Sequence, residues 1–201
     1  MYSPAINKLI EGLRKLPGVG EHTAERYVLH WLKSGKKEVT ELAAALEALL
    51  KNIKSCELCW DFSDQNPCRI CRDPERDRAT ICVVAEPTEL SIIERTGTYR
   101  GRYQVLRGLL TADADSLANL KIKELLDRLQ GAAEPKITEV VLALNPTLPG
   151  ETTMLFLEQE IKTINPKITI TRLARGLPMG SDLRYADEIT LGSAIKNRIA
   201  S

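Results

Sequence analysis

Aromatic residues are scarce in this chain, 4% of its 201 residues. Leu, Ile, Val and Ala must therefore build the core. The formal net charge is only +1, so no global basic field advertises a polyanionic partner. No run approaches the ~18 consecutive apolar residues of a membrane-crossing helix, and no membrane partner is expected. The opening residues MYSPAINKLIEGL lack the charged, apolar and cleavage regions of a secretory signal, so a cytoplasmic location is expected. No G-x-x-x-x-G-K-[ST] sequence occurs, which excludes a P-loop for ATP. The only histidines are His22 and His30, and no Ser or Cys nucleophile is suggestively placed for a triad.

Hydrophobic residues make up 43% and charged residues 27%, as in an ordinary globular protein of one large or two small domains. Charge is unevenly placed. Residues 1–55 hold nine Lys/Arg against six Asp/Glu, a balance of +3; residues 56–80 hold four against six, giving −2. The N-terminal segment is mildly basic.

Three helical patterns come first. Ser3-Pro4 reads as N-cap and first helical residue, with Ile6, Leu9, Ile10 and Leu13 as one stripe. A second helix carries Ala24, Tyr27, Val28, Trp31 and Leu32 on one face and ends at Ser34-Gly35. A third runs from about Val39 to Ile53 with Leu42, Leu46, Leu49 and Leu50 inward. Residues 55–80 are polar, cysteine-rich and without periodicity. From Ile81 on, strands (81–85, 103–107, 138–144, 168–173) alternate with helices (87–95, 116–129, 151–164, and a last one at 190–198). That alternation predicts an α/β fold with a mostly parallel sheet covered on both faces.

The cysteines read Cys56-Glu57-Leu58-Cys59, eight residues, then Cys68-Arg69-Ile70-Cys71. Structural disulfides are not expected in the cytoplasm. Two C-x-x-C pairs in a coreless segment predict a tetrahedral site for one zinc ion. The metal would supply the folding free energy that so short a polar segment lacks. Four cysteines close the coordination shell, so the site is structural, with no open position for catalysis. A redox dithiol would want one C-x-x-C ahead of a helix rather than two facing pairs. Cys82, inside the first strand, is a small core residue.

Leu16-Pro17-Gly18-Val19-Gly20 lies between the first two helices. Glycines permit positive φ and close approach, and free amides at a helix start attract anions. This is the helix-hairpin-helix pattern, which grips DNA phosphates without reading bases. Gly18, Val19, Gly20, His22, Thr23 and Arg26 are the candidate DNA contacts. A plain turn that uses glycine for geometry is the competing reading.

The stretch VVLALNPTLPGE (140–151) stops an apolar strand at Asn145-Pro146, where ligands of α/β folds usually sit. With LPGVGEHTAERY, the four cysteines, ICVVAEPTELSIIERTGTYRGRYQVLRG and TRLARGLPMGSDLRYADEITLGSAI, it occurs in the order found in the bacterial RecR family of recombination mediators. The sequence resembles that family over nearly its whole length. The resemblance implies a helix-hairpin-helix region (1–54), a zinc finger (55–80), a Toprim domain (81–175) and a C-terminal oligomerisation segment (176–201). It also implies a homotetrameric ring around DNA, nucleoid-associated. The ring would act with RecF- and RecO-type partners to load recombinase on gapped single strands. Catalytic Toprim domains hold Mg²⁺ with a Glu at one strand end and an Asp-x-Asp at another. Glu86 matches the first; Asn145 and Thr147 stand where the aspartates would be, leaving Glu86 and Glu151 as carboxylates. The expectation is a degenerate site used for docking, not a nuclease or topoisomerase, which is the rival reading. A protein-only adaptor is a third. Two departures stand out. Glu21-His22 replaces the Pro-Lys common in the family, and residues 109–115 replace a longer Pro- and Gly-containing loop. Asp113 and Asp115 within that loop follow the wrong strand for a metal site.

Overall fold

The computed structural model describes residues 2–113, 116–131 and 136–198. The chain forms two compact units, Met1–Ile53 and Lys54–Ser201.

The first unit is helical. Helix α1 (Pro4–Arg14) starts as its sequence dictates: the Ser3 side chain accepts from the Ile6 amide at 3.5 Å, and Pro4 fills a position that needs no N–H. Helix α2 (Glu21–Ser34) ends at Gly35, whose φ of 98° turns the chain into α3 (Lys36–Asn52). Ile10, Ala24 and Val28 are buried, with Ile6, Leu13 and Val19 packed around them. The expected inward face of α3 is not found. Leu42, Leu46, Leu49 and Leu50 are 40, 56, 56 and 80% exposed, and α3 buries no residue. Tyr27 and Leu32 of α2 are also exposed. Helical spacing gathers these side chains into a stripe; it does not supply a surface to cover the stripe.

The second unit opens with a two-stranded antiparallel ribbon, β1 (Lys54–Ser55) and β2 (Phe62–Ser63), and a short helix α4 (Arg69–Arg72). Then follow β3 (Asp77–Val84), α5 (Pro87–Arg95), β4 (Gly101–Val105), α6 (Ser116–Asn119), α7 (Ile122–Gln130), β5 (Glu139–Leu142), α8 (Leu148–Ile164), β6 (Thr169–Arg172) and α9 (Glu188–Lys196). The four longer strands form a parallel sheet in the order β4-β3-β5-β6, as the alternating pattern predicts.

Alternation along β3 sends residues to opposite faces. Ile81, Val83 and Ala85 join Val140 and Leu142 of β5 against α7 and α8, through Leu125, Leu129, Met154, Leu157 and Ile161. Cys82 and Val84 join Tyr103 and Val105 of β4 on the other face. There they meet Leu90 of α5, Ile70 and the four cysteines of the finger. The finger is therefore a layer of the sheet's core. Burial pushes the Cys82 thiol up to about 12, in keeping with an inert core residue.

Three boundaries differ from expectation for local reasons. Strand β4 ends at Val105 because Arg107 takes a left-handed φ of 67°. The helix expected over 116–129 is two, because the Lys121 amide donates to the Leu106 carbonyl (2.8 Å). The side chain of Ser116, its expected cap, and Asp115 lie outside the described residues. Helix α8 begins at Leu148 rather than Glu151, capped by the Thr147 hydroxyl, which accepts from the Gly150 amide at 3.3 Å. Gly150 is then the first turn of a helix. A Cβ on it would sit 2.0 Å from the Asn145 carbonyl oxygen, so only glycine lets the strand end and the helix start lie this close.

A polar cluster ties α5 to the sheet. Arg76 grips both Glu94 oxygens (2.7 and 2.5 Å), the Tyr103 hydroxyl donates to Glu94 (2.7 Å), and Arg76 also donates to the Gly101 carbonyl (3.2 Å). The Arg76 and Glu94 side chains are only 13 and 17% exposed. Hydrogen bonding from Arg76 holds the Glu94 carboxyl below its ordinary value. A carboxyl depressed in the folded state stabilises above its unfolded pKa, about 4.3, and loses that contribution as pH falls through the folded value. Glu94→Gln is expected to lower unfolding free energy by about 2 kcal/mol at pH 7, measured by urea denaturation. The difference from wild type should shrink as the buffer is taken below about pH 4.

Candidate metal centre and nucleic-acid interface

Each cysteine pair sits on a tight backbone turn. The Trp60 amide donates to the Cys56 carbonyl (2.9 Å), and the Arg72 amide donates to the Cys68 carbonyl (3.1 Å). Those turns bring four buried sulfurs within 4.8 Å of one another. Zn–S bonds of ~2.3 Å in a tetrahedron require S···S edges of about 3.8 Å. Cys59 and Cys68 are already 3.6 Å apart. Backbone amides support the thiolate form: Cys68 N–H points at Cys56 Sγ (3.3 Å), and Cys71 N–H at Cys68 Sγ (3.5 Å). Hydrogen bonding from Cys59 holds the Cys68 thiol well below its ordinary value, and the same bond holds Cys59 up. All four donors are soft and inward-facing, so Cys56, Cys59, Cys68 and Cys71 fit one zinc ion and leave no open position. Its chemistry when bound is structural.

The finger is anchored at several points. The Val105 amide donates to the Cys59 carbonyl (2.8 Å) and Arg107 Nε donates to the Trp60 carbonyl (2.7 Å). The Arg107 guanidinium also stacks on Phe62 (3.5 Å), and the Lys121 ammonium on Trp60 (4.2 Å).

In the helical unit, Gly18 takes a φ of 77°, a region that favours glycine, and Gly20 caps α2 without a side-chain hydrogen bond. The amides of Glu21, His22 and Thr23 therefore open α2 with no side-chain acceptor, the arrangement that binds anions. Arg26 is exposed and makes no ion pair among the described residues. His22 lies near Glu25 (3.7 Å). The Glu21 carboxylate, which opposes anion binding, is 3.6 Å from Arg14 and is partly offset by it.

At the carboxyl ends of the strands, Glu86 is the exposed N-cap of α5. Asn145 donates to Glu89 (2.6 Å), whose other oxygen accepts from the Ala85 and Glu86 amides (2.8 and 3.2 Å). Thr147 spends its hydroxyl on capping α8. Glu151 is ion-paired with Arg172 (3.0 Å) and with Arg175. Glu89, Arg172 and Arg175 were not among the sequence candidates. The Glu86-Pro87-Thr88-Glu89 spacing of a capping box carries the signal for Glu89. Of these, Glu89, Asn145, Arg172 and Arg175 line a crevice of about 610 Å³, together with Ile189 and Ser193 of α9. Asp113 hydrogen-bonds with Thr111 (3.3 Å) in its loop.

Elemental analysis of reduced protein should give about one zinc per chain, and Cys68→Ala should bring that close to zero. Zinc content unchanged by the substitution would reject the site.

Four family models match the chain in sequence. They are the RecR helix-hairpin-helix (residues 6–50), the RecR four-cysteine zinc finger domain (53–73), the Toprim domain (79–174) and the RecR C-terminal region (176–199). The recombination protein RecR of Moorella thermoacetica is 47% identical over 201 residues, covering 98% of each chain. That of Anaeromyxobacter dehalogenans is 46% identical over 194 residues, covering 96% of each. That of Thermobifida fusca is 44% identical over 201 residues, covering 100% of this chain and 98% of the relative. With four models in register and full-length identity near one half, the chain belongs to the RecR family of recombination proteins.

Proposed function

We propose that this chain is a non-catalytic DNA clamp of recombinational repair. It acts at the nucleoid with RecF- and RecO-type partners to load recombinase on gapped DNA. The observation that carries the DNA contact is the start of α2: a left-handed Gly18, a cap without a side chain and three opening amides. Phosphate is the natural ligand of such a site, and Thr23 and Arg26 lie within the next two turns. One hairpin binds weakly, so a homo-oligomer, a tetrameric ring in this reading, supplies the avidity. The work divides among a helix-hairpin-helix region (1–54), a zinc finger (55–80), a Toprim domain (81–175) and an oligomerisation segment (176–201).

Absence of catalysis is favoured by the strand-end chemistry. Asn145 and Thr147 are neutral and already committed to Glu89 and Gly150, and Glu151 is committed to two guanidiniums. Glu86 alone offers Mg²⁺ too little charge for phosphoryl transfer. The crevice then serves a docking partner.

Binding should weaken with salt, log K falling about 0.9 per phosphate contact for duplex DNA. Relative to wild type, Gly18→Asp/Arg26→Ala should bind at least about tenfold more weakly with a salt slope shallower by about 1, measured by fluorescence anisotropy. Arg26→Ala alone should show part of that loss, and equal affinities for all three would reject the hairpin contact. Supercoiled plasmid incubated with the protein and Mg²⁺ or Mn²⁺ should stay uncut. Nicking that disappears in Glu86→Ala would favour the nuclease reading instead.

A further inference from the structure

Four thiolates and one divalent cation leave two net negative charges in the finger. The sulfurs that carry them are buried: Cys56, Cys59, Cys68 and Cys71 are at most 3% exposed. A buried net charge is costly unless an opposite charge sits beside it. No Lys or Arg within the C-x-x-C segments donates to a sulfur among the described residues. Two guanidiniums of the sheet domain donate to carbonyls of the C-x-x-C segments themselves.

Arg128, on α7, donates through Nη1 to the Leu58 carbonyl (3.1 Å), inside the first C-x-x-C, and to the Tyr103 carbonyl on β4 (2.8 Å). Arg102, on β4, donates through Nη2 to the Cys71 carbonyl (3.1 Å), the last ligand of the second pair. Neither forms an ion pair with a carboxylate among the described residues, and Arg102 Nε is buried with no hydrogen-bond partner there. Arg76 and Arg172, also half-buried in this unit, each hold a glutamate, whereas Arg107, half-buried without an ion pair, spends its guanidinium on Trp60, Ser55 and Phe62. Burial lowers the basicity of Arg128, Arg102 lowers it further, and the cysteine sulfurs raise it again. Two like charges are thus held close together in a half-buried place, with the sulfur cluster beside Arg128 and no carboxylate ion-paired to either among the described residues.

We propose that Arg128 and Arg102 are the counter-charges of the zinc–thiolate centre, positioning residues that set its hold on the metal. Each binds one cysteine turn through a carbonyl, and together they match the two negative charges. The carbonyl bonds also fix both turns to β4 and α7, so metal occupancy and sheet packing are one event. Their role is electrostatic and geometric, and neither ligates the ion.

The test uses the zinc-loaded full chain and a chromophoric chelator that competes for zinc. Arg128→Gln should weaken zinc binding roughly 10–100-fold, the usual loss for outer-shell partners, and Arg102→Gln should do the same to a smaller degree. Arg128→Lys keeps the charge and should stay within about threefold of wild type, since only the forked hydrogen bonding is lost. Arg107→Gln is the control: it removes an equally direct bond to the finger, at the Trp60 carbonyl, outside the two C-x-x-C segments. It too should stay within about threefold, well short of the loss expected for an outer-shell partner. In cobalt-substituted protein, the sulfur-to-cobalt charge-transfer band should move to longer wavelength in Arg128→Gln and not in Arg128→Lys. Equal losses for Gln and Lys at 128, a loss as large for Arg107→Gln, or unchanged affinity in Arg128→Gln would each overturn the proposal.

Discussion

The packing of a four-sulfur centre against one face of the parallel sheet is the constraint on which this unit rests. A parallel sheet needs both faces covered. One face has α7 and α8. The other has α5 and the finger, whose cysteines lie in the same cluster as Cys82, Val84, Tyr103 and Val105. A polar segment of this length has too little apolar area to fold unaided. Metal binding, worth roughly 10–16 kcal/mol in finger peptides, supplies what its sequence lacks. The sheet therefore borrows part of its core from a site that exists only when four thiolates converge.

That dependence reaches the crevice. Strand β3 packs on the finger and ends at Val84, two residues before Glu86, and Arg76, Glu94 and Tyr103 join the same strand region to α5. Glu89 of α5 then holds Asn145 at the end of β5. Packed residues and short hydrogen bonds thus run without a break from the finger to the strand ends. At these strand ends the polar groups are committed to one another, Asn145 to Glu89, Thr147 to Gly150, and Glu151 to Arg172 and Arg175, which is what the proposed docking role rests on.

Much of this was legible in the sequence, and the reasons are physical. The sheet announced itself because buried parallel strands read as apolar runs between helical patterns. The zinc site was legible because ligand spacing within a tight turn is local. The start of α1 was legible because a cap is a local hydrogen bond. What could not be read depends on distant residues. Nothing in the sequence distinguishes Arg102 and Arg128 from surface arginines, since their partners are carbonyls 31 and 70 positions away. Glu151 looked like a spare carboxylate until Arg172 and Arg175 folded onto it. The leucines of α3 looked inward because periodicity reports a face and not its neighbour. The expected helix 151–164 leaves Gly150 outside it because the closeness of Gly150 to the Asn145 carbonyl is a tertiary fact.

The central claim is that the zinc centre is part of the sheet's core and not an appendage. Hydrogen exchange measured with zinc bound and after chelation tests it most directly. The account predicts that stripping the metal exposes the amides of Cys82–Val84 in β3 and Gln104–Val105 in β4 along with those of the finger, while α1 and α2 keep their protection. Loss confined to residues 54–73, with β3 and β4 protected as before, would contradict it.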